Sequence, residues 1–156
     1  MFADLVQNSV AMDTRMNVTF TPTLTLEVFA QPFIASGRYT NFKEFAEPRS
    51  REKLVYGADL GSIAADGSDY RVDPDGAGPA SAFTIGNPDF NFRSLRGNAV
   101  LRWEFSPGST LFPVWTQSRS TSAEVGDFRL GRDFDAPLDT PADNIFLLQV
   151  NYWLGF

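Results

Sequence analysis

Hydrophobic and polar residues alternate with period two in five places along the chain, and no helical period of comparable length occurs. Such alternation predicts strands with one apolar face. The last run is the clearest. From Asn144 onward Phe146, Leu148, Val150, Tyr152, Leu154 and Phe156 form one apolar face, with Gln149, Asn151 and Trp153 between them. Gly97 to Phe105 repeats the pattern, setting Ala99, Leu101, Trp103 and Phe105 against Asn98, Arg102 and Glu104. Two further runs flank Thr21-Pro22-Thr23: Met16, Val18 and Phe20 alternate with Arg15, Asn17 and Thr19, and Leu24, Leu26, Val28 and Ala30 alternate with Thr25, Glu27 and Gln31. They read as a hairpin. The fifth run, Thr110 to Arg119, follows the turn sequence Ser106-Pro107-Gly108-Ser109 and sets Phe112, Val114 and Thr116 against Trp115, Gln117 and Arg119. Pro113 removes one ladder donor there, so an irregular strand or a bulge is expected.

The remaining connections are long. Residues 38–89 and 120–143 are rich in Gly, Pro, Ser and Asp, and they hold fifteen of the nineteen acidic residues. In a meander successive connections fall on alternate ends of the sheet. The short turns therefore share one end and the long acidic segments the other. The predicted fold is all-β: an antiparallel meander of about five long strands.

Alternation alone does not say what the apolar face meets. A soluble sandwich buries it in a core, whereas a membrane barrel turns it to lipid and its polar face to the lumen. Three features point to the barrel. The runs approach the roughly 9 to 11 tilted residues that cross a bilayer, beyond the five or six common in soluble strands. Arg15, Glu27, Arg102, Glu104 and Arg119 put both signs of charge on the polar side, as a salt-bridged lumen network would. Short turns at one end with long loops at the other is the outer-membrane arrangement. The expectation is a partial outer-membrane β-barrel spanning 1–156, its long loops facing outward. The alternative is a soluble β-sandwich acting as a carbohydrate-binding module or a glycoside-hydrolase-associated domain.

Composition narrows the chemistry. The 156 residues include no Cys and no His, which removes thiolate nucleophiles, imidazole bases and zinc-finger ligand sets. A net charge of -6 offers no basic patch for phosphates, so no nucleic-acid partner is expected. No run has the roughly 18 to 20 consecutive apolar residues of a spanning helix. Met1 is followed by no basic, then apolar, export signal; an unexported protein or a fragment is expected.

Candidate sites are few. Asp73 and Asp75 before Gly76 have the spacing that opens a calcium loop, but the closing bidentate Glu is missing, its place falling on Ala82. An ordinary acidic surface loop explains them as well. Glu27 and Glu104, the two acids placed on strands, have the residue type of a glycosidase pair. Arginines on the same face would hold both ionised, so a structural role is expected and no catalytic residue is assigned. Gly57 to Gly61 lacks the Gly-Lys-Ser/Thr ending of a phosphate loop, and no cofactor is expected.

The run Asn87 to Arg119, with Arg102-Trp103-Glu104-Phe105-Ser106-Pro107-Gly108 at its centre, closely resembles the C-terminal part of bacterial outer-membrane proteins of domain-of-unknown-function family 5916. Thr19 to Tyr39, with Gln31-Pro32-Phe33, and Ala142 to Gly155 are similar to the same family in colinear order. The resemblance implies a bacterial outer-membrane location. It also implies an N-terminal carbohydrate-binding module of the family-nine type, absent here, and it carries no established catalytic or ligand residue. The closing ladder from Phe146 to Phe156 resembles the targeting strand read by the barrel-assembly machinery. Five strands cannot close a spanning barrel, whose smallest forms have about eight. The expected partners are outer-membrane lipid, the assembly machinery and a missing N-terminal part of the same polypeptide, with Met1 to Asp13 a remnant of an outward loop.

Overall fold

The computed structural model describes residues 1–155, and every sheet in it is antiparallel. Ten strands and one short helix follow in the order β1 (Phe2–Ala11), β2 (Thr14–Thr21), β3 (Leu24–Phe45), β4 (Lys53–Val55), β5 (Ser62–Asp66), β6 (Asp69–Asp73), β7 (Phe83–Ile85), β8 (Phe90–Ser106), β9 (Ser109–Ala123), α1 (Leu130–Asp135) and β10 (Asp143–Asn151). The main sheet runs β1-β3-β8-β9-β10, with β2 and β4 also paired to β3; β5, β6 and β7 form a second, small sheet. All five predicted runs contain strands, the last of them only as far as Asn151.

Three boundaries differ from the sequence reading. Phe2–Ala11 is a strand rather than loop remnant, because it pairs with β3. β3 continues to Phe45 and β8 begins at Phe90, so the first long connection is shorter than 38–89. β9 passes Pro113 without a break: Pro113 pairs with Leu148 in an unbroken register from Asp143↔Ser118 to Asn151↔Thr110. The irregularity lies in the first hairpin, where the register shifts between Thr19 and Thr21. The other hairpin turns at Pro107-Gly108, where Gly108 takes φ +77, a conformation glycine adopts without steric cost.

Two compact units divide the chain. The first comprises Met1–Asn8, Ser36–Asn91 and Ala123–Asp127. Its core is Phe42, Tyr56 and Val72, packed by Tyr39, Leu60, Ile63, Tyr70 and Ile85, with the Phe42 and Tyr70 rings 5.2 Å apart. Tyr56 donates to Glu44 Oε2 at 2.6 Å, and burial beside that carboxylate raises its phenol from the ordinary 10.0 to about 12. This unit contains the small sheet, so the acidic connection is a folded element, not an open loop.

The second unit comprises Ser9–Ala35, Phe92–Ser122 and 128–155. It is a single sheet in which β2, β3, β8, β9 and β10 lie side by side in that order, the end of β1 (Ser9–Ala11) also belonging to it through β3, and α1 is the one helix among its described residues. No second sheet within this unit covers either face. Every residue of β10 is exposed, Phe146 to 77 % and Leu148 to 64 %. The described chain leaves 10599 Å² accessible. A folded monomer of its 17.3 kDa exposes about 7,800 Å² by the usual size scaling.

Candidate functional site

The two faces of the five-stranded sheet differ in chemistry because each strand alternates. On one face the register sets Arg15 against Phe29 and Asn17 against Glu27. These four residues, with Asn98 and Val100 of β8, line a polar cleft of about 320 Å³. The Arg15 guanidinium lies 5.5 Å from the centre of the Phe29 ring, a cation–π distance. Two and four residues beyond Val100, alternation carries Arg102 and Glu104 onto the same face. They form an ion pair at 3.5 Å, and Glu104 Oε1 also accepts the Gly108 amide at 3.2 Å, bracing the tight turn. Farther along, Gln31, Phe33, Phe92, Ser94 and Arg96 line a second opening.

Four of the five residues expected to form a charged network therefore share one face, but a single ion pair links them. Among the described residues Arg15 and Glu27 enter none. Arg119 does not join them. It stands on the side of β9 that carries Pro113 and Trp115, opposite Leu148 and Phe146, and donates to Gln117 Oε1 at 3.1 Å and to the Leu138 and Thr140 carbonyls.

The other face is apolar. Leu26, Ala99, Leu101, Trp115, Phe146 and Leu148 line most of a groove of about 430 Å³, and the Trp115 and Phe146 rings stack 6.3 Å apart. Of the closing ladder, Phe146, Leu148 and Val150 lie in β10, Tyr152 and Leu154 follow it outside any strand, and Phe156 lies outside the described residues. Among the described residues no helix is long and apolar enough to cross a membrane, which says nothing about strands.

This chain belongs to the DUF5916 family. The family, described as a domain of unknown function, matches across residues 1–156. No curated protein and no solved structure matches the chain.

In this DUF5916 chain the suggested calcium pair is engaged by its own backbone. Asp73 Oδ1 accepts the Gly76 amide at 2.9 Å, and Asp75 Oδ2 accepts the Ala80 amide at 2.9 Å. Among the described residues no three acids converge as a metal site would require. A buried ionic cluster went unseen in the sequence. The fully buried Asp133 accepts from Arg93 Nε at 3.0 Å, from Arg132 Nε at 2.8 Å and from the Arg129 amide at 2.8 Å, fastening α1 to β8. No local pattern marks it, since Arg93 and Asp133 lie far apart in sequence.

Proposed function

We propose that this DUF5916 chain forms the C-terminal strands of a bacterial outer-membrane β-barrel, its apolar face against lipid and its Arg15–Glu104 face lining the lumen. One observation carries the reading. The five-stranded sheet of the second unit is one layer deep, with no second sheet in that unit over its apolar face. A soluble sandwich buries such a face beneath a partner sheet about 10 Å away. A barrel in a membrane leaves it to the acyl chains. Strand length supports the same reading: β8 has 17 residues and β9 has 15, more than a tilted crossing needs.

The barrel serves as a membrane scaffold or passage. Its proposed link to carbohydrate binding or uptake rests on the sequence resemblance alone, which implies a family-nine-type module. The acidic segments face outward, and the assembly machinery reads the Phe146, Leu148 and Val150 row of β10.

The test is fractionation of cells that make the natural gene product with its own export signal. Recovery in the detergent-extracted outer membrane, reduced by Phe156→Ser, is the expected result. A folded product in the soluble fraction would make the sandwich binding module the working reading.

A further inference from the structure

The directions of the two edge strands restrict what completes this sheet. β2 is antiparallel to β3. β3 and β8 are antiparallel too: Thr23 O accepts the Glu104 amide at 2.8 Å while Gly97 lies against Phe29 O, so one strand's numbering rises as the other's falls. β8 reverses into β9 through the Pro107-Gly108 turn, and β9 is antiparallel to β10. Four reversals across five strands leave the outermost two, β2 and β10, pointing the same way.

We propose that the sheet is completed by a non-identical stretch of polypeptide contributing an odd number of strands, and not by further copies of this chain. The inference rests on the barrel reading above. Outer-membrane barrels are antiparallel throughout and, in bacterial single chains, even in strand number. If the sheet closed on itself, β2 would meet β10 in parallel. A ring of copies joined head to tail would repeat the same parallel seam at every junction. Copies related by a twofold axis would pair β10 with β10 antiparallel, but would put the short turns of one copy at the end where the other carries its long acidic segments. Insertion from one side of a membrane does not produce that arrangement. A different partner, antiparallel to both edges, resolves all three conflicts. Its smallest size is three strands, since the smallest spanning barrels have about eight.

The edges also indicate the partner's chemistry. Beside β10 it continues the apolar row of Phe146, Leu148 and Val150. At the β2 edge Arg15 is exposed and in no ion pair among the described residues, while Met16 and Phe20 are exposed on the alternate positions. The facing strand thus alternates apolar residues with polar ones, and an acid opposite Arg15 fits.

Photo-cross-linking in native membranes tests this. The photoreactive residue p-benzoylphenylalanine is placed at Leu147 or Gln149 in β10, and at Asn17 or Thr19 in β2, of the full-length natural product made as two differently tagged copies. The expected adducts from both edges map to sequence outside residues 1–155. Adducts from position 149 map earlier in the partner strand than those from 147, the antiparallel order. Tag-to-tag adducts, adducts between β10 and β2, a parallel order, or no adduct from either edge would each overturn the proposal. The same antiparallel adducts in a soluble protein would uphold it and overturn the membrane reading, whereas tag-to-tag adducts in membrane-embedded protein would do the reverse.

Discussion

Replacing Leu148 with Arg separates a lipid-facing surface from a solvated one. Leu148 sits in β10 opposite Pro113, between Phe146 and Val150 on the same face, and is 64 % exposed in the described chain. In water, only the covered third of the side chain loses apolar burial. Full burial of a leucine is worth about 1.5–3 kcal/mol, so the substitution costs about 0.5–1 kcal/mol. Against acyl chains at mid-depth an arginine costs about 2–4 kcal/mol, a roughly 30- to 700-fold loss in the folding equilibrium. Gln149, the next residue, points to the opposite face, and Gln149→Arg costs little in either medium. The assay is urea unfolding of the full-length product in phospholipid vesicles, followed by heat-modifiable gel migration. A Leu148→Arg midpoint far below that of Gln149→Arg is expected. Equal midpoints would refute the assignment of the Phe146–Val150 face to lipid.

Asp133→Ala removes the carboxylate from the buried Arg93, a change that costs about 3–5 kcal/mol where a buried pair is broken. Limited proteolysis should then cut within 124–142 at protease levels the parent survives, and unchanged resistance would count against the cluster as the fastening of α1. Glu104→Ala loses a partly exposed ion pair and the bond to the Gly108 amide, worth about 1 kcal/mol, while Asp66→Ala in β5 costs almost nothing; indistinguishable heat-modifiable migration would remove Glu104 from any structural role. Gly61→Ala forces a side chain onto φ +44 with its Cβ 2.0 Å from Asp73 O, so amides of the β5–β6 hairpin should lose hydrogen-exchange protection. Because the folded state raises the Tyr56 phenol to about 12, its contribution to stability is complete below about pH 10 and is lost as the pH climbs through 12. Tyr56→Phe should flatten that decline in a denaturation series, and an unchanged slope would show that Tyr56 does not cause it.

How far the fold could be read from sequence depended on how one-sided each strand is. Phe146 to Val150 and Ala99 to Phe105 keep apolar residues on one face, so their period survives inspection. Phe2–Ala11 mixes Asp4 with Val6 and Asn8 with Val10 on alternate positions, and only pairing with β3 makes it a strand. The extension of β3 past Gly37 has the same origin. Pro113 was expected to disturb β9 but does not, since a proline lacks only its own amide and its side chain still takes a place in the ladder. In the candidate site, Arg15, Glu27, Arg102 and Glu104 follow from parity. Arg119 does not, because both faces of Thr110–Arg119 are mixed and parity there cannot be tied to that of β8 without the pairing. The Arg93–Asp133 pair links residues distant in sequence, which no period can encode.

The segment between Phe45 and Phe90 bears on how the chain assembles. The turns at Pro22-Thr23 and Pro107-Gly108 close over a few residues, so their hairpins can form locally, whereas β3 and β8 must meet across residues 46–89. An unstructured excursion of that length costs about 2 kcal/mol more in closure entropy than a four-residue one. The first unit lowers that cost by folding: β5, β6 and β7 pair locally, and the unit holds Gly37 so close to Phe90 that a Cβ on the glycine would stand 2.3 Å from the ring. The acidic excursion thereby acts as a clasp, bringing β3 and β8 together at Gly37 and Phe90 so that their pairing can start there.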